Sequence, residues 1–99
     1  MREILSKHHL RHLALLEFLL KNKKQWISLK DISDSLDTPT RTLHTDIHEI
    51  NTYISPIIIR TSSFGIKISI PPTYSERYLY KKILVVSREF NLIEHVFAN

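Results

Sequence analysis

Arg41, Thr45, His48 and Thr52 recur at spacings that set them along one side of a helix, opposite Leu43, Ile47, Ile50 and Ile54. Thr42, His44 and Glu49 flank that polar stripe, and Thr40 heads it. Threonine is roughly 0.5 kcal/mol poorer than alanine in a helix interior, yet Thr40, Thr42, Thr45 and Thr52 all stand here. Helix stability would not select them. A threonine offers a hydroxyl to a phosphate or base edge and a methyl group to the thymine methyl, while arginine pairs bidentately with guanine. The pattern points to double-stranded DNA as partner, with Thr40, Arg41, Thr42, His44, Thr45 and His48 as contact residues. A merely solvated polar face is the competing account.

The histidines suggest a second chemistry. His8 and His12, and again His44 and His48, are four apart, which lets one helix face supply two metal contacts. Neither pair has a cysteine or a third ligand nearby in sequence, so they read as solvated or DNA-facing imidazoles, with no metal and no cofactor. The chain has no cysteine, which removes disulfides, thiolate nucleophiles and zinc–cysteine sites together. It has neither a nucleophile elbow nor a glycine-rich phosphate loop, so no catalytic residue is assigned and an enzyme is not expected.

The elements that must position the contact stripe are written in capping chemistry. Ser28 can accept from the Asp31 amide, Asp31 sits in the positive first turn, and Ile27 can staple onto Ile32, which starts a helix running to Leu36. Thr38 followed by Pro39 predicts a capping hydroxyl and then a preset φ at the first position of a second helix over 39–54. Two short helices joined by a tight turn make a helix-turn-helix. Pro56 ends the second one, and Ile57–Thr61 and Ile66–Ile70 read as strands around Ser62-Ser63-Phe64-Gly65. Gly65, the only glycine, falls where a positive φ is needed. The expected fold is mostly α with a small β-hairpin: a winged helix-turn-helix followed by C-terminal helices. Helix 39–54 would enter the major groove, the 57–70 hairpin would act as the wing, and Lys30, Arg60 and Lys67 would meet phosphates.

Composition agrees with a small module. Ninety-nine residues at 42% hydrophobic content suit a single core, and no apolar run reaches membrane-spanning length. No signal-peptide pattern appears, so the expected compartment is the cytoplasm. The net charge of +4 favours an anionic partner, but it is unevenly spread. Residues 1–30 carry seven Lys/Arg against Glu3 and Glu17 (+5), 31–52 carry Arg41 against five acids (−4), and the rest carries +3. An acidic reading unit predicts weak, salt-sensitive binding by an isolated copy.

The first long helix, about Lys7 to Asn22, has leucines, Ala14 and Phe18 around most of its circumference. Either a second subunit or the rest of a longer polypeptide covers part of it, or it is central in a bundle with the C-terminal segment. In that segment Leu79, Ile83, Val86 and Phe90 share a face, with Leu92, Ile93, Val96 and Phe97 after it. Thr73 and Glu76 could form a capping box, Ser87 could cap a further helix, and Tyr74, Tyr78 and Tyr80 could form an aromatic patch. The division expected is 1–72 for the DNA-binding unit, and 73–99 for a helical segment that starts a second helix-turn-helix or a linker.

The stretch Arg2 to Leu13, the run Lys24 to Leu29, the signature Arg41-Thr42-Leu43 with Asp46-Ile47 and Ile50-Asn51, and the wing end Gly65 to Ile68 resemble the N-terminal region of Mga-type transcriptional regulators of Gram-positive bacteria. The resemblance covers nearly the whole chain, and is looser to the winged helices of the DeoR and sugar-operon activator families. It implies a bacterial DNA-binding transcription factor in which a second helix-turn-helix follows. Regulatory domains related to phosphotransferase-regulated modules come next, with self-association as a dimer or larger homo-oligomer through the C-terminal part. Two alternatives stand beside it: a winged helix that docks protein instead of DNA, and an RNA reader, for which Phe64 is the only stacking candidate.

Overall fold

The computed structural model describes residues 7–86, arranged as α1 (Lys7–Lys21), α2 (Leu29–Leu36), α3 (Thr40–Asn51), β1 (Ile58–Ser62), β2 (Gly65–Ser69) and a fourth helix, α4, over 76–86. The helix-turn-helix and its hairpin are as expected, so the winged helix-turn-helix stands. Among the described residues no helix is long and apolar enough to cross a membrane.

Ser28 caps α2 as its sequence requires, accepting from the Asp31 amide at 3.0 Å with extended backbone. At the other end Asp37 takes a left-handed conformation, φ 50°, which Asp tolerates, and closes back onto the Ser33 carbonyl. The start of α3 differs from expectation. Pro39 is itself the N-cap residue and makes no side-chain cap, and the helix begins at Thr40. The Thr38 hydroxyl donates instead to the Leu36 carbonyl at 3.0 Å, and Ser33 donates to the Thr38 carbonyl, so the turn is tied to α2. The helix also ends earlier than 54. After Asn51 the amides of Thr52 and Tyr53 bond three residues back, tightening the last turn ahead of Pro56. Ile54 still bonds Ile50 and is fully buried, so Leu43, Ile47, Ile50 and Ile54 all line the core.

The wing pairs antiparallel with Ser62 opposite Gly65, which leaves Ser63 and Phe64 as a two-residue turn and shifts each strand by one residue from expectation. Ile59, Ile66 and Ile68 face inward, while Ile70 is half-buried just beyond β2. Gly65 has φ +123°, and a Cβ there would lie 2.4 Å from the Ile27 carbonyl oxygen. That close approach lets Ile27 and Ile66 exchange backbone hydrogen bonds of 3.0 and 2.7 Å, stitching the entry of α2 to the wing. Asn51 holds the other side: its side chain accepts from the Ile59 amide at 2.8 Å and donates to the Ile59 carbonyl at 3.1 Å. One pin fixes the hairpin to the entry of α2 and the other fixes it to the end of α3.

Of the two arrangements open for α1, the central one accounts for most of its apolar surface. Leu15, Leu16, Leu19 and Leu20 are buried in one core cluster that also takes Leu79 and Ile83 of α4, whereas Ala14 is exposed and Leu10 is exposed in part. The Thr73–Glu76 capping box is not made: α4 starts at 76, and Glu76 pairs with Lys23 at 2.8 Å. Tyr74 and Tyr78 meet edge-on at 4.8 Å between centroids, and the Tyr78 hydroxyl donates to the Ser55 carbonyl. Ser87, Phe90, Leu92, Ile93, Val96 and Phe97 lie outside the described residues.

Candidate nucleic-acid interface

On the outer face of α3, Thr40, Arg41, His44, Thr45 and His48 are all exposed and Thr42 is half-buried. The Thr45 hydroxyl donates to the Arg41 carbonyl at 3.3 Å, which leaves its oxygen lone pairs and its methyl group outward. Lys30 is exposed on α2 and Arg60 on β1. Among the described residues none of Lys30, Arg41 and Arg60 is paired with a carboxylate. Their charge is uncommitted.

The wing carries its own electrostatic signature. Arg60 and Lys67 are direct cross-strand partners on the outer face, the reverse of the Ile59 and Ile68 pair. Like charges directly opposite each other cost stability, by up to about 1 kcal/mol, unless an anion lies against them. Lys67 is half-buried, and its ammonium sits 5.6 Å from the Trp26 ring centroid. Phe64 stands at the wing tip, 75% exposed and 6.4 Å from Trp26 between centroids. Trp26 was absent from the expected contact residues because its position relative to the wing depends on the Ile27–Ile66 bridge.

The inner face of α3 is built differently. Asp46 is fully buried and takes both nitrogens of the Arg11 fork, Nε at 2.6 Å and Nη2 at 2.7 Å. His12, expected to be solvated, is only 1% exposed. Its Nε2 lies 3.3 Å from both Asp46 and Glu49, and its Nδ1 lies 3.0 Å from the Tyr53 hydroxyl. His8 Nε2 is 2.9 Å from Glu49. The reason is packing: the α1 stripe of Leu15, Leu16 and Leu19 continues backward one turn to His12 and His8, so these residues face α3. Burial pushes His12 below the ordinary imidazole value, helped by His8 and opposed by Asp46 and Glu49. Burial, with the same two carboxylates, pushes the Tyr53 phenol up, and His9 is lowered by burial. The hydrogen bond to Asp46 raises Arg11.

Two of the five acids in the reading unit are therefore turned away from its outer surface. Asp46 is neutralised by Arg11, and Glu49 lies against the α1 histidines. The polar stripe left outside carries Arg41 without an acid of its own helix beside it.

A helix-turn-helix with an open outer face on its second helix is the element that enters a DNA groove in DNA-binding proteins. The family model for the HTH domain matches residues 11–67, from the Arg11 of the buried pair to the Lys67 of the wing. The chain belongs to the HTH domain family. The chain is also similar over all 99 residues, at 27% identity, to a Streptococcus pneumoniae serotype 4 (strain ATCC BAA-334 / TIGR4) protein named "Putative trans-acting regulator". It spans about a fifth of that relative's length.

Proposed function

We propose that this HTH domain is the DNA-binding module of a bacterial transcriptional regulator of the Mga type, a cytoplasmic protein without enzymatic activity. The exposed face of α3 lies in the major groove, with Arg41 and Thr45 on base edges and Thr40, Thr42, His44 and His48 around them. Lys30, Arg60 and Lys67 lie on phosphates. Residues 73–99 begin the next part of a longer regulator, whose remaining domains or second copy supply self-association. The observation that carries this reading is the opposed Arg60–Lys67 pair beside an outer α3 face whose Arg41 has no carboxylate partner among the described residues.

A titration with random duplex DNA at two salt concentrations tests it. Three phosphate contacts give log affinity a slope of roughly −3 against log salt, so binding is weak and falls steeply. No binding in either buffer would favour the second reading, docking onto a protein. That reading draws on Asp31, Asp34 and Asp37, all exposed on or just after α2, which repel a phosphate backbone but suit a basic protein surface.

A further inference from the structure

The inner face of α3 holds a set of ligand atoms that DNA binding does not use. His8 Nε2 is 2.9 Å from Glu49 Oε1, and His12 Nε2 is 3.3 Å from Glu49 Oε1 and 3.3 Å from Asp46 Oδ1. One ligand atom from each of the four residues falls within 4.8 Å of all the others. A tetrahedral zinc ion with spokes of about 2.0–2.1 Å sets its ligand atoms about 3.3 Å apart. The three contacts of 2.9, 3.3 and 3.3 Å already lie near that figure, and the widest pairs, up to 4.8 Å apart, must draw in by as much as about 1.5 Å.

Two features separate this cluster from an ordinary ion-pair network. The His12 side chain is 99% buried, and among the described residues neither its Nε2 nor Glu49 Oε1, both closed off from solvent, makes an aligned hydrogen bond, although the two lie 3.3 Å apart and His8 Nε2 lies 2.9 Å from the same Glu49 oxygen. Orphaned buried polar atoms are costly, and one cation bound by both would satisfy the two together. The second feature is charge. Among the described residues Asp46 and Glu49 face a single fixed cation, Arg11, so with neutral imidazoles one negative charge is left over.

We infer that His8, His12, Asp46 and Glu49 form a binding site for a divalent first-row transition-metal ion, zinc foremost, which clamps α1 to α3. Two imidazoles argue against magnesium and calcium, which take oxygen ligands. Each helix supplies two ligands one turn apart, His8 and His12 from α1 and Asp46 and Glu49 from α3. On binding, the Nε2 positions face the ion and the ring protons reside on Nδ1. The Tyr53 hydroxyl, 3.0 Å from His12 Nδ1, accepts one of them. Arg11 keeps Asp46 Oδ2 through Nε and gives up Oδ1, together with its 3.4 Å contact to His8 Nδ1. The two ligand pairs lie 34 or more residues apart in sequence, so the site exists only in the folded chain and metal binding stabilises the fold. The inference stands whether or not α3 binds DNA.

The test is calorimetric titration of the metal-free 99-residue chain with zinc chloride, with cobalt(II) as a visible-absorption probe. One equivalent of zinc is expected to bind and to raise the thermal unfolding midpoint. His8→Ala and Glu49→Gln change half-exposed side chains, and circular dichroism checks that each variant keeps its fold. Each is expected to weaken zinc binding at least about tenfold and to remove most of the rise in midpoint. Absence of binding up to millimolar zinc, or binding that both substitutions leave unchanged, overturns the inference.

Discussion

The two sides of α3 treat polar groups in opposite ways. On the inner side Asp46 is fully buried and held by Arg11, with His12 and Glu49 beside it, so the polar groups there face one another across α1 and α3. On the outer side Arg41, His44, Thr45 and His48 are exposed, and among the described residues Arg41 has no acid to hold it. One helix thus anchors with one polar face and leaves the other unspent. An average charge over residues 31–52 hides this, because it counts the buried Asp46, and a Glu49 turned toward the α1 histidines, against the outer face.

The largest expected effect comes from Arg11→Met, which strands the Asp46 carboxylate in the interior. Urea unfolding should show a loss of about 3 kcal/mol, while Arg41→Met on the outer face should stay within about 0.5 kcal/mol. Equal losses would break the contrast between the two faces. Gly65→Ala comes next. It places a Cβ against the Ile27 carbonyl at a φ of +123°, and should cost about 2 kcal/mol by the same measurement. A neutral result would mean that the Ile27–Ile66 bridge does not position the wing.

Much of this scaffold was legible in the chain because its determinants are local. Ser28 and Asp31 mark the start of α2, the isoleucine stripe marks the buried side of α3, and the lone Gly65 marks the hairpin. The boundaries of α3 were less so, since Thr38 chose the Leu36 carbonyl over the helix amides and the last turn tightened before Pro56. The exposed residues of α3 appeared as a face because helical periodicity alone sorts them. The Arg11–Asp46 pair and the four-residue His and acid group did not. They join positions 34 or more residues apart, and only the crossing of α1 over α3 decides which polar residues meet. A leucine stripe that runs into histidines at its N-terminal end was the available signal for a buried His12.

Smaller effects sharpen the outer face. Arg41→Ala should reduce discrimination between a selected site and random duplex by ~1–3 kcal/mol; equal losses on both DNAs would place Arg41 on phosphate. Arg60→Ala should weaken binding evenly on all sequences and flatten the salt slope by about 1. The same substitution should raise stability by a few tenths of a kcal/mol, at about the low end of cross-strand pair energies, by relieving its repulsion with Lys67. If stability falls instead, the opposed cations are not under strain.

The most direct test of the central claim is to map amide chemical shifts of the isotope-labelled chain while random duplex DNA is added. The account predicts movements that begin at Thr40–His48 on α3 and at Arg60–Lys67 on the wing, and that fade together as salt is raised. Movements confined to α2 or α4, with α3 silent, would contradict it.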